Sequence, residues 1–86
     1  MGRILTAAQS AKAAALIKEL NEISKGGWLE EGCDAMNGAV GIFFNNDTDE
    51  YFIYDYNGDI IAREYSSITD EEAKKMAKIG LELSLI

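Results

Sequence analysis

The chain has 86 residues, with 8 Lys plus Arg against 15 Asp plus Glu for a net charge of −7, and it contains no histidine. That length fits one hydrophobic core and leaves no room for a second domain. Excess carboxylate repels phosphate backbones and so disfavours direct nucleic-acid binding, while the lack of histidine removes the usual neutral-pH proton shuttle.

The charge is uneven. Residues 1–25 carry Arg3, Lys12, Lys18 and Lys25 against Glu19 and Glu22, and residues 71–86 balance three lysines with three glutamates. Residues 26–70 hold ten acids against Arg63 alone, a local net charge of −9. Such a field steers basic partners toward the middle of the chain. Cys33 is the lone cysteine. It cannot close an internal disulfide, which points to a cytoplasmic setting. The first eight residues meet Gln9, Ser10 and Lys12 before a signal-peptide core develops. No run approaches the about 18–20 apolar residues of a spanning helix, so no membrane partner is expected. Gly2 with Thr6 fits a permissive myristoylation pattern, and Asn46-Asp47-Thr48 an N-glycosylation pattern. Many unmodified chains match the first, and the second has no meaning without export.

Thr6-Ala7-Ala8-Gln9 reads as a capping box that opens a helix over residues 7–23, with Ala13, Leu16, Ile17, Leu20 and Ile23 on its apolar face. Gly26 or Gly27 is expected to supply the left-handed closure. Across residues 28–37, Trp28, Leu29 and Met36 read as anchors, with at most a short helical turn over 29–35, because Gly32, Asn37 and Gly38 interrupt any longer element.

From Ala39 the period changes to two. Residues 39–44, 51–56 and 59–65 read as strands, joined by the polar turn 45–50 and by Asn57-Gly58, which suits a two-residue type I′ hairpin. That hairpin predicts Phe52 opposite Arg63, Ile53 opposite Ala62, Tyr54 opposite Ile61 and Tyr56 opposite Asp59. Ile68-Thr69-Asp70-Glu71-Glu72-Ala73 then opens a second capped helix, lined inward by Ala73, Met76, Ala77, Gly80 and Leu81 and ending in an apolar 81–86 segment. The predicted fold is α+β in the order α-β-β-β-α, a three-stranded antiparallel meander against N- and C-terminal helices. This order also occurs in double-stranded-RNA-binding domains, but the chain has no basic patch to grip a phosphate backbone.

Alternation gives the sheet two apolar faces. One carries Val40, Ile42, Phe44, Tyr51, Ile53, Ile60 and Ala62; the other carries Phe43, Phe52, Tyr54, Tyr56, Ile61, Arg63 and Tyr65. The expected arrangement packs both helices on the aliphatic face, leaving Phe43, Phe52, Tyr54, Tyr56 and Tyr65 as an exposed platform. If a helix covered that face instead, the rings would be ordinary core.

The expected function is a small acidic interaction or inhibitory module that binds a basic macromolecule. Asp47, Asp49, Glu50, Asp55, Asp59 and Glu64 would imitate nucleic-acid charge, as in an inhibitor from a phage or other mobile element. The alternative is a homodimeric structural or accessory protein whose acids serve only solubility. Neither a metal nor a cofactor is expected, because the oxygen-rich segments 45–50 and 55–59 fit hairpin turns better than a calcium loop. Catalysis is not expected either. Cys33 lacks a partner base, the adjacent Glu30 and Glu31 have no cleft to separate their roles, and Gly38-Ala39-Val40-Gly41 lacks phosphate-loop spacing.

Overall fold

The computed structural model describes residues 4–32 and 39–86. Cys33, Met36 and the side chain of Val40, like Gly2 at the N-terminus, lie outside the described part. Helix α1 spans Ala7–Ser24, followed by strands β1 Trp28–Gly32, β2 Ala39–Asn45, β3 Glu50–Asp55 and β4 Ile60–Glu64, and by helix α2 Asp70–Ser84. The four strands form one antiparallel sheet in the order β1-β2-β3-β4. The fold is therefore α-β-β-β-β-α, which corrects the three-stranded meander and the order α-β-β-β-α expected from sequence.

The additional strand is β1, in a stretch where the sequence predicts a loop or at most a short helical turn. Lys25 adopts the left-handed conformation as C-cap of α1, and Gly26 and Gly27 continue with φ of 84° and 81°. Three consecutive positive-φ residues reverse the chain, so Trp28 enters directly alongside β2, with Leu29 opposite Phe44 and Glu31 opposite Ile42. Trp28 is buried against Phe52, ring centroids 5.7 Å apart, while Leu29 points outward. Two carboxylates and a glycine in five residues hide this alternation from propensity. Pairing with β2 supplies the hydrogen bonds that make the segment a strand.

The β2–β3 register places Phe44 opposite Tyr51, as alternation predicts. Phe52↔Arg63 and Ile53↔Ala62 also pair as predicted, but Tyr54 lies opposite Ile60, not Ile61. The cause is the turn. Gly58 at φ 78° closes a loop in which its N–H donates to the Asp55 carbonyl and the Asp55 N–H donates to the Asp59 carbonyl, both at 3.0 Å. The Asp55 carboxylate also accepts from the Asn57 and Asp59 amides at 2.9 and 3.0 Å. This is a three-residue connection instead of the two-residue type I′ turn. A bulge at Ile61 absorbs the difference, and Ile60 rather than Ile61 faces inward.

Both helices lie on one side of the sheet, with α1 packed on α2 and α2 on β2 and β4. They cover the aromatic face, the reverse of the expected arrangement. Phe43, Phe52 and Tyr54 are enclosed with Leu16, Leu20, Trp28, Ala73, Met76, Ala77 and Ile79. Volume explains the choice. α2 presents Ala73, Ala77 and Gly80 to the sheet, and small helix residues leave room for large strand residues. The Tyr54 ring sits between Gly41 and Gly80, where a Cβ at either position would fall 2.2 or 2.3 Å from the phenol oxygen.

Both predicted capping boxes are present. Thr6 Oγ1 accepts from the Gln9 amide and Gln9 Oε1 from the Thr6 amide, at 3.1 and 2.9 Å; Thr69 and Glu72 repeat the exchange at 3.1 and 2.8 Å. Thr69→Ala is expected to destabilise the domain by about 1 kcal/mol, lowering Tm by about 4–8 °C, whereas Thr69→Ser retains the acceptor and most of the stability. Thermal denaturation followed by circular dichroism measures both.

Candidate functional site

With the aromatic face enclosed, the open surface is the opposite side of the sheet. Cross-strand partners share a face, so the registers define two rows across it. One runs Leu29, Phe44, Tyr51, Glu64, and the next runs Glu31, Ile42, Ile53, Ala62. Leu29 is 55% exposed and Tyr51 37%; Ile42, Phe44, Ile53 and Ala62 are partly exposed. No described helix covers them. Six apolar side chains thus form a contiguous patch with one carboxylate at each of two opposite corners, Glu31 on β1 and Glu64 on β4, and neither row carries a cation. An apolar patch framed by polar residues is a candidate surface for contact with another molecule.

The aromatic residues expected on an exposed platform have other places. Phe43, Phe52 and Tyr54 are at most 2% exposed and belong to the core. The Tyr54 hydroxyl donates to Glu30 Oε1 at 3.1 Å. Tyr65 packs edge-on to Phe52, centroids 5.8 Å apart, and its hydroxyl donates to Asp70 Oδ1 at 2.7 Å. Arg63 pairs with the same Asp70 oxygen. The hydrogen bond from Tyr65, joined by that from Arg63, holds the Asp70 carboxyl below its ordinary pKa, while desolvation pushes the Tyr65 phenol up. Tyr56 is exposed, but it stands on the β3–β4 turn, apart from the other rings.

The acids divide into four groups. Asp47 and Asp49 are exposed on the β2–β3 turn; Asp55, the last residue of β3 and outward-facing, and Asp59 flank the β3–β4 turn at the other end of the sheet, where the Asp55 carboxylate is taken up by backbone amides. Glu64 belongs to the open face. Glu50 belongs to none of these surfaces, because it is 8% exposed and points into the connection between β4 and α2. It accepts from the Ser67 hydroxyl, the Thr48 hydroxyl and the Ser66 and Ser67 amides. These bonds, led by the Ser67 and Thr48 hydroxyls, lower its pKa to about 2. Glu50 is thus a structural anion that ties the two hairpin ends together, not a group displayed to a partner.

Leu29 and Glu31 entered no sequence-derived site, because β1 was not assigned. Alternation puts Phe44, Tyr51, Ile53 and Ala62 on one face, and the expected helix arrangement makes that face core. Their signal is the alternation itself, which is the same whichever face the helices cover.

Among the described residues, no group of three or more acidic or cysteine side chains converges as a metal site would, and no helix is long and apolar enough to cross a membrane. An open groove of about 590 Å³ runs between β4 and the start of α2, lined by Ile60, Ile61, Arg63, Asp70 and Lys74 among others. Its Arg63 and Asp70 are paired with each other.

The fold and this surface define a two-layer α+β domain with one sheet face covered by helices and one that no described helix covers. The chain matches no protein-family model, no curated protein and no solved structure.

Proposed function

We propose that this domain is a cytoplasmic protein-binding module, acting by occlusion and without catalysis, whose open sheet face docks a basic protein. One observation carries the reading: a six-residue apolar patch, uncovered by its own helices, has carboxylates at two corners and no cation. Apolar contact supplies binding energy, and the net charge of −7 selects and steers the partner. Asp47 and Asp49 at one end of the sheet and Asp59 at the other act in this scheme as long-range attractors. An inhibitor of nucleic-acid-binding proteins, such as mobile elements carry, is one module of this kind. Self-association through the same face would bring two equally acidic surfaces together, which favours a basic partner over a second copy.

The test has two stages. Wild-type protein captures partners at low salt, and the affinity of each identified partner is then measured by calorimetry for variants. Phe44→Thr with Ile53→Thr keeps strand propensity but removes apolar contact, and is expected to weaken binding about tenfold or more. Asp47→Asn with Asp49→Asn should mainly reduce the salt dependence of association. A partner that binds the Phe44/Ile53 variant as tightly as wild type would refute the open-face reading.

A further inference from the structure

The spacing of the two corner carboxylates specifies the shape of what docks between them. We propose that the partner element is an amphipathic helix bearing two cationic side chains five positions apart, one on each flank of an apolar stripe. The proposal rests on the open face being the docking surface.

Neighbouring strands lie about 4.8 Å apart, and same-face residues along a strand about 7 Å apart. Glu31 and Glu64 are separated by three strand spacings and belong to adjacent rows. They therefore stand about 14 Å apart across the strands and about 7 Å apart along them. Between them lies the strip formed by Ile42 and Phe44 on β2 and Tyr51 and Ile53 on β3. A helix with side chains is about 10 Å wide, so a single helix lying along β2 and β3 fills this strip.

On such a helix, positions i and i+5 differ by about 7.5 Å in height and about 140° in direction. When they straddle the sheet-facing direction symmetrically, each lies about 70° to one side, and i+1 and i+4 point down between them. The rise matches the separation of Glu31 and Glu64 along the strands. Lysine or arginine stems can lie over the apolar patch and carry their charges outward to the edge strands. The recognised pattern is basic, apolar, two variable positions, apolar, basic.

Handedness agrees independently. Seen from outside with β3 running upward, the L configuration turns the N–H and C=O of outward-facing residues to the right. Asp55 is at an outward position and donates its N–H to Asp59, so β4 is on the right and β1 on the left. Glu31 is then upper left and Glu64 lower right. A right-handed helix laid on the face in either direction puts i and i+5 on that diagonal and not on the other. A second copy fits less well. Two rows across four strands cover only about 19 by 14 Å, small beside the about 800 Å² that each partner buries in a stable interface.

The experiment uses a labelled helix-forming peptide of about 15 residues, with lysines at i and i+5 and leucines at i−3, i+1, i+4 and i+8. A composition-matched isomer has its second lysine at i+3, on the same flank as the first. Fluorescence anisotropy with the full chain is expected to show the isomer binding about tenfold more weakly. Glu31→Lys with Glu64→Lys, both exposed, should lose the lysine peptide and gain a counterpart with glutamates at i and i+5. Equal binding of the isomers, or no peptide binding while Phe44→Thr with Ile53→Thr still releases the captured partner, would overturn the helix and leave the docking face standing. Peptide binding unchanged by the Phe44 and Ile53 substitutions would overturn both readings. A wild-type dimer in sedimentation that Phe44→Lys dissociates would assign the face to a second copy and overturn the helix.

Discussion

Gly41→Ala is expected to destabilise the domain by about 3 kcal/mol, a large share of the about 5 kcal/mol available to a chain of this size. The added Cβ would lie 2.2 Å from the Tyr54 hydroxyl oxygen, 2.3 Å from its Cζ and 2.8 Å from its Cε1. Tyr54 cannot retreat, because Gly80 closes the other side of the ring and Phe43 flanks it at 5.7 Å between centroids. Gly80→Ala makes a sharper experiment. An alanine within a helix should be favourable by about 1 kcal/mol. Here its Cβ would meet the Tyr54 oxygen at 2.3 Å, while the next atoms, Tyr54 Cζ and Phe43 Cε2, stand at 3.1 and 3.4 Å. Only the oxygen is prohibitively close. Gly80→Ala should therefore destabilise the wild type but be close to neutral, or stabilising, in a Tyr54→Phe background, whereas Gly41→Ala stays destabilising in both. Urea midpoints at constant m-value measure this cycle. Equal cost of Gly80→Ala with and without the hydroxyl would show that Tyr54 is not held in the described position.

The second large effect concerns acid. Glu50 has its pKa lowered from an ordinary 4.5 to about 2 by four hydrogen bonds to its ionised form. A group whose folded-state pKa is depressed contributes stability that is complete above its unfolded pKa and is lost as pH falls through the folded value. The Glu50 contribution should thus be whole at neutral pH and should decline between about pH 4.5 and pH 2. Glu50→Gln keeps the shape but replaces one acceptor oxygen with an NH₂ that faces donors. The variant should be clearly less stable than wild type at pH 7, and the gap should narrow across that acidic interval. Parallel denaturation curves at several pH values decide the matter, and a gap independent of pH would assign Glu50 a packing role instead. Asp70 and Glu72 also have lowered pKa values, Asp70 chiefly from the Tyr65 hydrogen bond and Glu72 chiefly from the Thr69 amide. The pH dependence of the Glu50→Gln difference separates Glu50 from these two.

The candidate site was half legible in the sequence. Alternation within residues 42–44 and 51–54 separates Phe43, Phe52 and Tyr54 from Ile42, Phe44, Tyr51 and Ile53, and the structure keeps that division. Glu64 was singled out as an acid, and it stands on the open face. Glu31 could not be placed, because five residues with two carboxylates and a glycine show no strand signature until β2 lies beside them. Glu50 resembled its acidic neighbours because composition cannot distinguish a carboxylate in solvent from one gathered by Ser66, Ser67 and Thr48. Thr48 is two residues away, but Ser66 and Ser67 are sixteen and seventeen away.

Local chemistry in the sequence alone determined both capped helices, the pairing of β2 with β3, the central register of β3 with β4, and the acidic middle of the chain. Each depends on residues within a few positions of one another or across one hairpin. Tertiary structure decided which face is buried, and with it which residues can meet a partner. Period-two alternation is symmetric between the two sides of a sheet. The choice came from volume: Ala73, Ala77 and Gly80 leave α2 a surface with room for Phe43, Phe52 and Tyr54, and the aliphatic side was left open.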